Sequence, residues 1–191
     1  MRSPLAGLLL FSTLLFSILV FPARAGDILS SDVTLEAGQY AVTIDAAINA
    51  PLNVVYRSIT DYNNLAAINP SIEESRVLLV MSPDRHRVRS VIKVCILVFC
   101  KRVVQVQDVT RVDGRTVDAV TLPGDSDFRY GVAHWQLTPE GEATRLHFTQ
   151  EFIPDFWVPP VIGPWLIQRK LVQEVTETAM YIEVRDEASN E

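Results

Sequence analysis

Residues 128–152 read FRYGVAHWQLTPEGEATRLHFTQEF, and this stretch decides the fold. Two runs within it, Phe128 to Leu137 and Thr144 to Phe152, alternate apolar and polar residues as a strand with one buried face does. Pro139-Glu140-Gly141 supplies turn chemistry between them, so the runs pair as an antiparallel hairpin. Alternation puts Ala133, Trp135 and Leu137 on the inward face of the first run. It puts Leu146, Phe148, Gln150 and Phe152 on the inward face of the second. A one-residue slip in register would invert both faces.

Upstream, the same period of two recurs in Glu74 to Met81, Arg85 to Cys95, Cys100 to Val109 and Arg115 to Leu122. Pro83-Asp84, Asp113-Gly114 and Pro123-Gly124-Asp125 punctuate these runs, and six strands joined by short turns predict an antiparallel meander. A further strand, Tyr40 to Ile48, has Val42, Ile44, Ala46 and Ile48 on one face. Asn49-Ala50-Pro51 ends it and opens a helix, with Asn49 or Ala50 as cap and the proline at the first helical position. Asp61-Tyr62-Asn63-Asn64 reads as a break and a fresh cap, giving two short helices that close at Asn69-Pro70. Residues 26–38 read as a polar lead-in.

Downstream, Pro154 to Pro164 carries four prolines and is expected to be a structured crossing loop. Trp165, Val172, Ala179 and Ile182, with Leu166, Leu171 and Val175 beside them, then recur at helical spacing up to about Arg185. The expected class is α+β: strand, two short helices, six-strand antiparallel meander, and one long C-terminal helix across the sheet.

The first 25 residues stand apart. Arg2 precedes an uncharged apolar run from Leu5 to Phe21, Pro22 breaks it, and Ala23-Arg24-Ala25 offers small residues where a signal peptidase reads. This is the layout of a secretory signal peptide cleaved after Ala25. The other reading is a retained anchor, for which seventeen apolar residues are short against a hydrocarbon core of roughly 30 Å. The expected division is a leader 1–25, the lead-in 26–38, a ligand-binding domain 39–187 and a tail 188–191. Export to the periplasm or cell envelope follows from the leader.

Seventeen Lys and Arg stand against 23 Asp and Glu, a net charge of −6; without Arg2 and Arg24 the balance is 15 against 23, or −8. An acidic chain with no basic stripe argues against nucleic acid. Cys95 and Cys100 lie five apart, which puts them on opposite faces of a continuous strand, so they can bond only if the chain turns between them, most simply as a hairpin with a four-residue tip. In an oxidising compartment the pair reads as a disulfide. The alternatives are two buried thiols, or a strand running through Ile96 to Phe99 that forbids the bond. His86, His134 and His147 show no ligand spacing with the cysteines, so no metal site is expected, and no cofactor.

The element order, with Ile44 to Pro51, Val54-Val-Tyr-Arg-Ser-Ile-Thr-Asp-Tyr62, Ile68-Asn-Pro70, His134-Trp-Gln-Leu137 and the terminal helix, resembles the START-like (SRPBCC, helix-grip) superfamily. The likeness is to its coenzyme Q-binding and polyketide cyclase/dehydrase branch, in an exported subgroup. It covers nearly all of residues 39–187 and implies a sheet curved around the long helix with a cavity between them. Fold alone does not assign function, because this superfamily hosts carriers, enzymes and regulators.

Candidate cavity residues are therefore Arg129, Ala133, Trp135, Leu137, Leu146, Phe148, Gln150, Phe152, Trp165, Arg169 and Val172. On sequence alone, a filled core and a cavity wall read alike. Gln150 and Arg129 are the sharper clues, because buried polar groups need partners; a quinone ring or lipid head would supply them, and so would water at a rim. A candidate apolar rim comprises Ile96, Leu97, Val98 and Phe99 at the hairpin tip with Phe156 and Trp157 in the crossing loop. Such a rim docks transiently on a membrane, or folds back and seals the core. No catalytic residue is assigned: Asp61 reads as a helix cap, and Ser58, Ser71 and Ser90 lack a nucleophile setting. The expected function is an exported protein that binds or transfers an apolar small molecule such as a quinone or lipid. A cyclase or dehydratase acting on a polyketide-like chain, and a regulatory module binding a protein partner, are the alternatives.

Overall fold

A computed structural model describes residues 26–96 and 99–190. Eight strands, β1 (Asp27–Glu36), β2 (Gln39–Ile48), β3 (Ile72–Ser82), β4 (Arg85–Ile96), β5 (Phe99–Arg111), β6 (Thr116–Thr121), β7 (Phe128–Glu140) and β8 (Ala143–Pro154), form one antiparallel sheet. Its order is β1-β2-β8-β7-β6-β5-β4-β3, so the six-strand meander runs from β3 to β8 and β2 closes against β8. Helices α1 (Leu52–Thr60) and α2 (Leu65–Ile68) bridge β2 to β3, and α3 (Gly163–Asn190) follows the crossing loop. This is the helix-grip arrangement: a curved sheet holding one long helix.

The inward row of β2, Tyr40, Val42, Ile44, Ala46 and Ile48, is buried throughout. Phe148 and Leu146 of β8 stand opposite Ile44 and Ala46 and extend that apolar face across the sheet. The backbone of α3 approaches β1, β2, α1 and α2. Over the middle of the sheet the two layers part, which is what leaves room for a site.

Three local expectations differ from the structure. The lead-in is a strand: β1 pairs with β2 along its length and turns into it through Ala37-Gly38. Both turn residues have positive φ (50° and 86°), as the two-residue turn that matches strand twist requires. A bulge between Ile28 and Ser30 puts Ile28 out of step with Val33 and Leu35, which hid the alternation. Pro51 is itself the N-cap of α1 and Leu52 begins the helix. Asp61 is not a cap for α2 but the C-cap of α1, where its carboxylate accepts both contacts from Asn64 Nδ2 at 2.9 and 3.0 Å.

Cys95 and Cys100 are directly opposed in the β4–β5 ladder and joined as a disulfide. The first 25 residues, expected to be a leader, and the tip residues Leu97 and Val98 lie outside the described residues, as do the side chains of Ile96 and Phe99.

Candidate functional site

Between the sheet and α3 lies a cavity of about 630 Å³. Ligand pockets commonly span roughly 300–1,000 Å³. The inward rows of β4 (Val88, Ser90, Ile92, Val94) and β5 (Val103, Gln105, Gln107, Val109) form one wall, and Leu146, Phe148, Gln150 and Phe152 of β8 form another. Ile59, Tyr62, Leu65 and Ile68 around α1 and α2 line one end, and α3 roofs the space with Ile167, Lys170, Leu171, Glu174, Val175, Thr178 and Ile182. Phe156, Val158 and Trp165 line it where the crossing loop meets the helix. Trp165 is 56 % exposed and Arg169 is exposed as well, so this wall reaches the surface and marks a mouth.

The apolar wall carries a few polar groups. Ser90 and Gln105 face each other across β4 and β5, while Gln107 makes a long contact, 3.5 Å, with Thr121 Oγ1. The amides of Gln105 and Gln150 have no side-chain hydrogen bond among the described residues. On the roof, Lys170 Nζ donates to Ser71 Oγ at 2.6 Å and stands 3.5 Å from Glu174 Oε1. Burial pushes the Glu174 carboxyl up, against the lowering effect of Lys170 and Ser71. Tyr62 is buried with no partner for its hydroxyl among the described residues, and burial pushes its pKa up to about 12. It is a neutral phenol at physiological pH. The chemistry this wall supports is apolar burial with a small number of amide, hydroxyl and ammonium contacts. Among the described residues no cluster of His, Cys, Asp and Glu is arranged to hold a metal ion.

The structure sorts the candidate residues into three groups. Trp135, Leu146, Phe148, Gln150, Phe152, Trp165 and Arg169 are on the cavity wall. Ala133 and Leu137 point inward but are sealed in the core. Arg129 and Val172 are not on the wall. A bulge between Phe128 and Tyr130 breaks the parity that tied Arg129 to Trp135, so Arg129 turns to solvent and meets Asp155 at 3.7 Å. Val172 is half-buried outside the lining, because the helix face over the cavity centres on Ile167, Leu171, Glu174 and Thr178. Of the two crossing-loop candidates, Phe156 folds inward against Phe128, with ring centroids 5.9 Å apart, and Trp157 is 79 % exposed. Val161 (91 %), Ile162 and Trp165 continue that exposed apolar surface.

Sequence reasoning passed over Ser90, Gln105, Gln107, Tyr62, Lys170 and Glu174. The row Val103, Gln105, Gln107, Val109 carried the same signal as Gln150: polar residues at the parity of buried valines. His134 contacts Asp118 Oδ1 at 2.6 Å and is not part of the cavity.

A family model described as polyketide cyclase / dehydrase and lipid transport matches residues 39–181. No curated protein matches significantly. Among solved structures, the chain is similar to the Zhui aromatase/cyclase from a Streptomyces species, at 15% identity and TM-score 0.63 over 80% of this chain and 96% of that one. A START superfamily protein from Mycobacterium smegmatis gives 16% identity and TM-score 0.62, over 78% and 98% of the two chains. A STAR-related lipid transfer protein from Xanthomonas axonopodis gives 14% and 0.56, over 82% and 98%. At these identities the likeness is one of fold.

Proposed function

The chain belongs to the polyketide cyclase/dehydrase and lipid transport family, and we propose that it is an exported carrier that holds one apolar small molecule, of quinone or lipid type, between sheet and helix. The observation that carries this reading is the cavity of about 630 Å³, walled by apolar side chains and furnished with unpartnered amides. Apolar burial would supply affinity at roughly 25 cal/mol per Å2 before association costs. Gln105, Gln150 and Ser90 would give a carbonyl or head group its partners.

Export to the periplasm or envelope is supported by the leader-like first 25 residues, and the Cys95–Cys100 bond suits an oxidising compartment. Cargo exchange at a membrane is supported by the apolar surface of Trp157, Val161, Ile162 and Trp165 beside the cavity mouth. Cations accompany it: Lys101 Nζ stands 4.4 Å from the Phe156 ring centroid and the Arg169 guanidinium 5.5 Å from that of Trp165. Basic and aromatic groups around an apolar patch fit the headgroup layer of an anionic bilayer.

A second reading, a cyclase-type enzyme, is favoured by the Lys170–Glu174 pair, which puts an amine and a largely buried acid on the cavity wall. Solvent extraction and native mass spectrometry of protein isolated from its own envelope separate the two. A stoichiometric apolar passenger supports the carrier. An empty chain that converts an offered polyketide-like precursor, with loss of turnover in Lys170→Met, supports the enzyme.

A further inference from the structure

Glu183, in the C-terminal half of α3, is a buried residue, 3% exposed. Its Oε1 accepts two backbone N–H groups, from Asn49 at 2.7 Å and from Gly26 at 2.9 Å. Among the described residues no cationic side chain stands within ion-pair distance of it. A buried carboxylate without a cation is costly, and two amide donors offset only part of that cost. Gly26 is held closely: it is buried, with φ +64°, and a Cβ there would meet Ala179 Cβ at 3.0 Å and the Thr176 carbonyl at 3.2 Å. Only glycine fits the cradle without strain, and the cradle aims its nitrogen at Glu183.

Gly26 is also the residue that follows Ala23-Arg24-Ala25, the small-residue site at the end of the leader-like segment. We propose that hydrolysis of the Ala25–Gly26 bond by a signal peptidase frees an α-ammonium at Gly26 that forms an ion pair with Glu183. The reaction takes up water; the acyl half leaves with the leader as a carboxylate, and the amine half remains seated in the fold. An α-amino group has an ordinary pKa of about 7.7–8.0, so at neutral pH most of it is protonated even before the carboxylate attracts it. Processing thereby supplies the missing cation at the point where the start of β1, the end of β2 and the far half of α3 meet. The helix that roofs the cavity is fastened to the sheet edge by maturation itself. The unprocessed chain has only a neutral amide to offer there, which leaves it less committed to folding before it crosses a membrane.

This inference rests on the export reading, and the test keeps the two apart. The N-terminal residue of the protein isolated from its host is read by mass spectrometry; a start at Gly26 is expected. A start anywhere else removes the export reading in this form and the ion pair with it. Urea unfolding at pH 7 is then compared in four chains: the native form beginning at Gly26, a form beginning at Ala25, and each with Glu183→Gln. The expected result is coupling. The Gly26 form has a folding equilibrium constant larger by roughly tenfold than the Ala25 form, and Glu183→Gln abolishes most of that difference. A difference between the two forms that Glu183→Gln leaves unchanged would overturn the ion pair while leaving processing and cargo binding intact. Should Glu183→Gln fail to fold, titration of the Gly26 amine by nitrogen NMR in the native form serves instead. An amine pKa raised above the ordinary range is expected there, and one within that range overturns the inference.

Discussion

Cys95 of β4 and Cys100 of β5 stand directly opposite each other, their Cα atoms 4.0 Å apart, and are joined by a disulfide. Cys95 is also a residue of the cavity wall, so the bond fastens the hairpin end where β4 and β5 border the cavity. The bonded loop is short, and short loops gain least from cross-linking. The double change Cys95→Ser, Cys100→Ser is expected to cost about 2 kcal/mol of unfolding free energy. Urea denaturation of oxidised wild type and the double variant measures it. A loss near zero would mean that the ladder alone holds the hairpin closed.

The amides on the cavity wall are expected to select cargo rather than to hold it. Gln150→Leu should weaken binding of a short-tailed quinone by roughly five- to tenfold, about what one hydrogen bond contributes. A hydrocarbon of similar size should bind as well or better, because a polar group has left the wall. Isothermal titration with both probes reads the difference. Equal losses for the two would assign Gln150 to packing.

At the mouth, Trp157→Asp and Val161→Asp remove exposed apolar surface that does not line the cavity. Both are expected to lower sedimentation with vesicles of phosphatidylethanolamine and phosphatidylglycerol by about tenfold while leaving the melting temperature within a few degrees. Lys101→Glu should weaken binding to these vesicles and leave binding to neutral phosphatidylcholine unchanged. Variants that sediment like wild type would remove the membrane from the exchange step.

Acidity should act through Glu174. Burial raises its carboxyl above the ordinary value of 4.5, so the folded chain holds that proton more tightly than the unfolded chain. The contribution to stability is full below 4.5 and fades as pH rises through the folded value. Glu174→Gln, which is neutral throughout, is therefore expected to be more stable than wild type at pH 7 and no more stable at pH 4. Urea midpoints at the two pH values check this. A variant less stable at pH 7 would mean that the contact with Lys170 outweighs desolvation.

The alternation of Tyr40 to Ile48, of Thr144 to Phe152 and of the five runs between them was enough to predict the sheet, because most of these strands bury one face along much of their length. Where a bulge intervenes the same logic fails. It hid β1 behind the step between Ile28 and Ser30, and it turned Arg129 outward after giving it the parity of Trp135. Helical spacing selected Trp165 and Val172 as one face, seven residues apart. Packing on β1 and β2 instead rotates α3 so that Leu171 and Glu174 look into the cavity. Whether that cavity was empty or filled was not legible at all, since Phe148 and Leu137 are equally apolar and only one borders open space. The Glu183–Gly26 contact spans 157 positions and carries no periodic signal.

The claim on which the function depends is that one apolar molecule enters the space beneath α3. Trp135 and Trp165 both line it, and quinones quench tryptophan emission on contact. A titration of the delipidated chain with a short-tailed quinone, followed by that quenching, should saturate at one molecule per chain, and a bound lipid should displace it competitively. Quenching that rises without saturation, and that no apolar competitor reverses, would contradict the account.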